Sequence, residues 1–237
     1  MNWNLYTSQF TDLGVATAYK DQVGSIADIN LMLTAMLSYA GLEAYPVLLS
    51  TKSNGIPFFP TSNGFNYVIA TAKVNGNFVL LDATDKNLTP NMLKDYTINW
   101  QGRIIRKDGA SQWISLYGKE KSRINTMMQV EILDSFNING NVRKQYTEHF
   151  AFNYRSRYKD VVIDDIIKNI ESNSGIVVSE LEHQNMADPY KPLMETYEVY
   201  AQDQVEAIGD KIYFSPLFFF TTKENPFKSE ERNFPVD

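Results

Sequence analysis

Apolar positions along the first half of the chain recur with two different periods, and the change of period marks its elements. After Gly24, the residues Ile29, Leu31, Met32, Leu33, Ala35, Met36, Leu37 and Ala40 cover most sides of a 3.6-residue repeat, which predicts a buried helix. Ser25 stands at its N-cap with Asp28 three residues on, the spacing of a capping box, and Gly41 stands where the helix should stop. Residues 44–49 form a short apolar run and read as a buried strand. Residues 51–64 mix Ser, Asn, Gly and Pro around Phe58 and Phe59, which predicts a long loop of the kind that often carries function. Residues 65–74 and 78–82 read as two strands joined at Asn75-Gly76, a strong hairpin signal because both central residues need positive φ. Thr89-Pro90-Asn91 predicts a short helical turn, and 102–105 with 112–116 a second hairpin across Lys107-Asp108-Gly109.

The second half is richer in strand patterns. Residues 126–133 and 142–152 read as strands around Asn139-Gly140-Asn141. In the latter, Val142, Tyr146, Phe150 and Phe152 share one face, and Arg143, Gln145, Thr147 and His149 the other. Residues 158–170 carry Val161, Val162, Ile166, Ile167 and Ile170 at helical spacing. Residues 177–182, 194–200 and 211–214 complete a mostly β region. The order predicts an α+β fold in two domains, 1–118 and 119–237. Trp3-Asn4-Leu5-Tyr6 and Phe234-Pro235-Val236-Asp237 read as the cut ends of a longer chain, whose leader would lie outside this sequence.

Composition narrows the function classes. A hydrophobic content of 43% with 14 Tyr and 14 Phe gives ample area for a packed core. A net charge of −6, with no basic run, argues against a nucleic-acid partner. No segment approaches the roughly 18 apolar residues of a membrane span. Met1-Asn2-Trp3-Asn4 shows neither the charged region nor the apolar stretch of a secretory signal. With no cysteine, the chain has no thiol nucleophile, thiolate metal site or disulfide, a composition that suits a reducing compartment and a disulfide-free envelope protein equally.

Few residues carry obvious chemistry. His149 and His183 are the two histidines, and neither has a metal ligand at motif spacing, so both read as surface polar residues. No Gly-x-Ser-x-Gly elbow and no phosphate-cradling glycine loop occurs, and no cofactor is implied. Asp82-Ala83-Thr84-Asp85 reads as an Asx-type turn rather than a calcium loop.

Four segments taken together are more informative. They are Gly24-Ser25-Ile26-Ala27-Asp28 opening the buried helix, Ala40-Gly41-Leu42-Glu43-Ala44 leading to Val47-Leu48-Leu49, Phe65-Asn66-Tyr67-Val68-Ile69, and Leu80-Leu81-Asp82-Ala83-Thr84. Over residues 10–95 this order and spacing resembles the transglutaminase-like superfamily, a branch of the papain-like fold. The resemblance implies a cysteine nucleophile at the helix N-terminus, where the helix end favours the thiolate, a histidine base on the next strand, and an aspartate that orients it. Those roles fall on Ile26, Tyr67 and Asp82, and Asp82 alone keeps its chemistry. Ser25, beside the lost nucleophile, reads as the helix cap. The tail, Asn225-Pro226-Phe227-Lys228 with Glu231-Arg232 and Pro235-Val236-Asp237, resembles the C-terminal β domain of large bacterial envelope proteins, which implies a β-sandwich-like second domain and a periplasmic or cell-envelope location.

These readings predict a catalytically degenerate chain that binds a peptide, protein or glycan, or acts as a scaffold. Tyr67, Asn66, Phe58 and Phe59 are the candidate groove residues. Against this stands the alternative that Ile26 and Tyr67 simply fill the old site with core. A hydrolase or acyltransferase working through another group such as Ser25, and a purely structural spacer, are the rival functions.

Overall fold

The computed structural model describes residues 1–59 and 63–221; the tail segments 225–228, 231–232 and 235–237 singled out above lie outside the described residues, as do residues 60–62 of the long loop. In chain order the elements are β1 (Asn2–Trp3), α1 (Val15–Asp21), β2 (Val23–Gly24), α2 (Ile26–Tyr39), β3 (Ala44–Leu49), β4 (Tyr67–Val74), β5 (Asn77–Leu81), β6 (Gln101–Ile105) and β7 (Ser111–Ser115). They continue with β8 (Ile124–Ile132), β9 (Ile138–Tyr146), α3 (Glu148–Tyr158), α4 (Ile163–Ser174), β10 (Val177–Gln184), β11 (Leu193–Ala201), β12 (Val205–Ile208) and β13 (Lys211–Phe214). Helices and antiparallel sheets coexist, so the α+β class stands.

The chain divides into two compact units. The first is built from Met1–Ile124, Tyr146–Lys159 and Asn185–Leu193, so it holds residues 1–118 entire together with two later segments. Its sheet runs β5-β4-β3-β6-β7 with antiparallel neighbours. Residues 67–72 of β4 are all buried, as befits a central strand covered on both faces. The core joins Ile26 and Ala27 of α2 to Val47, Leu49, Tyr67, Ile69 and Ile104 of the sheet, with Leu93 and Leu116. The Asn75-Gly76 hairpin forms as expected, with φ of 49° and 80° at its two central residues. The second hairpin also forms, between β6 and β7.

The second unit, Asn125–Gln145, Asp160–Gln184 and the chain from Met194, carries a four-stranded sheet in the order β10-β11-β9-β8, with α4 packed on β10 and a separate two-stranded ribbon, β12 with β13.

Four local expectations change. The turn between β8 and β9 falls at Asp134–Asn137, where Leu133 N–H donates to Asn137 O, rather than at Asn139-Gly140-Asn141. Gly140 lies inside β9 instead, because a Cβ there would meet the Gln129 carbonyl at 2.6 Å. The strand expected to run to residue 152 ends at Tyr146, and α3 follows. That helix is held by tertiary contacts: the buried Arg155 guanidinium donates to the carbonyls of Asn185, Asp188 and Lys191 at 2.8–2.9 Å, and Tyr154 packs on Tyr146. The helix expected from residue 158 begins at Ile163 and ends at Gly175, whose φ of 66° makes it a left-handed cap. The residues Thr89-Pro90-Asn91 form a turn without a helix, and a 3-10 turn follows at Asp95–Thr97.

Candidate functional site

The helix that opens at Ile26 is capped as its sequence requires. The Ser25 hydroxyl accepts from Asp28 N–H at 3.2 Å and donates to Asp28 Oδ2 at 2.8 Å, while Ser25 N–H donates to the same oxygen at 3.0 Å. Burial by itself would raise the Asp28 carboxyl, but the hydrogen bonds from Ser25, Leu13 and Asp12 outweigh it and hold the pKa below the ordinary carboxylate value. Ser25 is fully buried, with its hydroxyl engaged in the cap.

Ile26 and Tyr67 are both fully buried in one core cluster. Tyr67 begins β4, and its hydroxyl turns to the end of β5, where it donates to Asp82 Oδ2 at 2.7 Å. Asp82 is buried as well, and its other oxygen, Oδ1, accepts from Asn30 Nδ2 at 3.0 Å, Thr84 N–H at 3.0 Å and Thr84 Oγ1 at 2.7 Å. The bond from Thr84 N–H is the expected Asx-type turn. Asn30 also donates to Val68 O and accepts from Ala83 N–H, so one side chain of α2 fixes both strands. Lys94, nearly buried, donates to Thr84 Oγ1 at 2.8 Å and lies 4.2 Å above the Trp3 ring. A chain of hydrogen bonds thus runs Tyr67, Asp82, Thr84, Lys94.

This arrangement restricts what the site can do. An isoleucine offers no lone pair. Burial, reinforced by the Asp82 charge, pushes the Tyr67 phenol well above its ordinary value, so its proton stays on oxygen. Burial likewise holds Lys94 below the ordinary lysine value, against the pull of Asp82 and Asp85. Tyr96, edge-on to Tyr67 at 6.1 Å, is raised by burial in the same way. The expectation that Tyr67 lines an open groove is corrected by its burial: its ring packs in the core and its hydroxyl is taken by Asp82.

The other groove candidates lie elsewhere. Asn66 ties the ends of the long loop together, accepting from Thr51 N–H and donating to Thr51 Oγ1, both at 2.9 Å. Phe58 and Phe59 stand out from that loop, with Phe58 beside Trp100. Of the expected groove set, then, the two phenylalanines are open to solvent. A concave surface lies along α2, where Leu31, Ala35 and Tyr39 with Pro46, Ile105 and Lys107 border a groove of about 500 Å³. Asn30 and Lys94 belong to the buried network without having been singled out in the sequence, and the exposed Tyr96 stands at its edge. Asn30 carried a signal, being a polar residue inside an otherwise apolar helix; Lys94 carried none.

No family model, no curated protein and no solved structure matches this chain. Among the described residues, no group of three His, Cys, Asp or Glu side chains could hold a metal ion, and no helix is long and apolar enough to cross a membrane. His149 lies at the start of α3 with Nε2 2.7 Å from Leu93 O, and His183 lies on β10 with Nε2 3.7 Å from Glu195, so both are engaged rather than free on the surface.

Proposed function

We propose that the first unit is a transglutaminase-like domain of papain-like ancestry that has lost its reaction and serves as a binding or scaffold module for a peptide, protein or glycan, in the bacterial cell envelope. The observation that carries this reading is the 2.7 Å bond from Tyr67 to Asp82 beside a capped helix that begins at Ile26. The base and acid positions of the family's triad thus remain hydrogen-bonded partners, while the nucleophile position is an alkyl group in the core. Tyr67 supplies a donor where a histidine would have donated to the same aspartate, so the scaffold keeps its packing without the chemistry. With the triad positions closed, the groove along α2 is a concave surface that could take a ligand in their place. The second unit is read as the accompanying β-sandwich-like domain, from its sheet and ribbon and from the resemblance of the tail.

The rival reading, hydrolysis or acyl transfer through Ser25, is disfavoured by the burial of that residue and by its bonds to Asp28.

The test is to restore the positions. Ile26→Cys combined with Tyr67→His should give a thiol that reacts with iodoacetamide at pH 6 at least tenfold faster than Ile26→Cys alone, because a paired imidazolium stabilises the thiolate. Equal rates in two folded variants would defeat the triad assignment. Labelling of the unmodified protein by a fluorophosphonate, lost in Ser25→Ala, would defeat the non-catalytic reading.

A further inference from the structure

We propose that the outer edge of β8 pairs with the same edge of a second copy of this chain, antiparallel about Met128, so that two four-stranded sheets join into one. The inference goes beyond the reading of the triad positions and does not depend on it.

A strand at the end of a sheet carries a row of unpaired backbone donors and acceptors, and folded chains guard such rows. In the two larger sheets, three ends are guarded or short. On β5, Leu80 N–H donates to Asn91 Oδ1 at 3.0 Å and Leu80 O accepts from Asn91 N–H at 2.8 Å. β10 shifts register between Ser179 and Glu182, and its Val178 N–H is taken by Glu171 of α4 at 2.9 Å. β7 has five residues. β8 has nine, and among the described residues no strand pairs with its outer edge. Its sequence, Ile-Asn-Thr-Met-Met-Gln-Val-Glu-Ile, holds no proline and a single charge.

The pairing with β9 shows which groups face outward. Thr147 N–H donates to Arg123 O at 3.0 Å at one end, and Leu133 N–H donates to Asn137 O at 2.9 Å at the other, which is one register without a bulge. Odd-numbered residues of β8 therefore bond to β9. The N–H and C=O groups of Ile124, Thr126, Met128, Val130 and Ile132 point away from it. The side chains of this row stand on the same face as the buried Tyr146, Val142 and Ile138 opposite them.

That row is complementary to itself. With a two-fold axis at Met128, the middle of the strand, Met128 meets its own copy, Thr126 meets Val130 of the second copy, and Ile124 meets Ile132. The apolar row thus continues across the joint, and Ile124, 44% exposed in the single chain, is covered. On the other face Met127 meets Gln129, and Asn125 meets Glu131 with Arg123 on the diagonal. The one charge of the strand is therefore placed by a neutral amide and a guanidinium, and no like charges oppose. An unrelated extended peptide could use the same backbone bonds, but nothing on this edge selects its side chains. The two-fold match selects β8 itself.

The experiment combines light scattering of the 237-residue chain at rising concentration with cross-linking of single-cysteine variants. The unsubstituted protein should pass from one chain to two. Val130→Pro removes an outward N–H and keeps every bond to β9, so it should raise the dimer dissociation constant about tenfold or more while the unfolding midpoint stays near that of the unsubstituted protein. Gln129→Pro, whose N–H faces β9, should instead lower the midpoint. The chain has no cysteine, so Met128→Cys places a single thiol at the axis. It should oxidise to a linked dimer about tenfold faster than Ile124→Cys, whose two copies lie at opposite ends of the joint. A single chain at every concentration up to millimolar overturns the proposal, as does a dimer that Val130→Pro leaves intact. Equal cross-linking of the two cysteine variants overturns it too. So does a chain that stays single and takes up an unrelated extended peptide at this edge. None of these outcomes bears on the thiol reactivity that tests the triad assignment.

Discussion

Asp82 in the first unit and Glu195 in the second are both buried carboxylates, and they are stabilised by different means. Asp82 accepts four hydrogen bonds, from Tyr67, Asn30 and Thr84, all neutral donors on neighbouring elements. Glu195 faces an ammonium and an imidazole: Lys144 Nζ is 3.5 Å away across the sheet and His183 Nε2 3.7 Å away on β10. Near it the Tyr197 hydroxyl is buried without a hydrogen-bond partner, and burial together with the Glu195 charge pushes its ionisation upward. Neutral donors at fixed distances specify geometry, because each loses its bond if the carboxylate moves. The ion pair with Lys144, at its longer distance, supplies attraction with less directional demand. The first arrangement suits a site that must hold one shape; the second suits a sheet that needs its interior charge compensated.

The largest expected effect breaks the first arrangement. Asp82→Ala strands the Tyr67 hydroxyl, the Asn30 amide and the Thr84 hydroxyl together, and takes from Lys94 the nearer of its two counter-charges, leaving Asp85. It should destabilise the first unit by about 3–5 kcal/mol in urea unfolding followed by Trp fluorescence. A loss below about 1 kcal/mol would mean that the four bonds do not act as a set.

Glu195→Gln removes the charge between Lys144 and His183 while keeping the shape. A loss of about 1–3 kcal/mol is expected, smaller because Lys144 keeps 17% of its side chain in solvent and can turn outward. An effect equal to that of Asp82→Ala would erase the contrast between the two sites.

Tyr67→Phe takes away one of the four donors and should destabilise by about 1–2 kcal/mol at neutral pH. Its pH dependence sharpens the point. Burial and Asp82 raise the folded pKa of Tyr67 above its ordinary value of 10.0, so its contribution is fully present below pH 10.0 and is lost as pH rises beyond it. The alkaline loss of stability in the unsubstituted protein should therefore be shallower in Tyr67→Phe, measured as unfolding midpoint against pH from 8 to 11.

Lys94→Met should change stability least, within about 1 kcal/mol at neutral pH, because relief of desolvation offsets the lost bond to Thr84. Burial keeps the folded pKa of Lys94 below 10.5, so the unfolded chain holds that proton more tightly and stability rises with pH in the interval below 10.5. The variant should flatten that rise, the opposite slope to the one Tyr67→Phe removes.

Much of the first unit was legible as sequence. The Ser25–Asp28 capping box, the Asn75-Gly76 hairpin and the turn between β6 and β7 form where the residues predict. The second unit was read less well. Tyr146, His149, Phe150 and Phe152 fit a strand alternation, yet the chain turns helical at Glu148, because Arg155 finds three carbonyls and Tyr154 a ring to pack on. The candidate site was legible in part. Asp82 was identified, and so was the position of Tyr67, but Asn30 and Lys94 join them only in three dimensions.

The sequence by itself determined what acts over a few residues: caps, tight turns, the buried character of α2 and the absence of any thiol chemistry. Those signals depend on local sterics and on hydrogen bonds spanning three or four residues, which no distant contact has to supply. The tertiary structure alone decided that Ile26 and Tyr67 are closed core, and that Asp82 is met by Tyr67 from 15 residues away and by Asn30 from 52. It also decided that Phe58 and Phe59 stay in solvent, since a loop's apolar tip is exposed or buried according to what braces its stem, and that bracing comes from Asn99, 44 residues beyond Gly55.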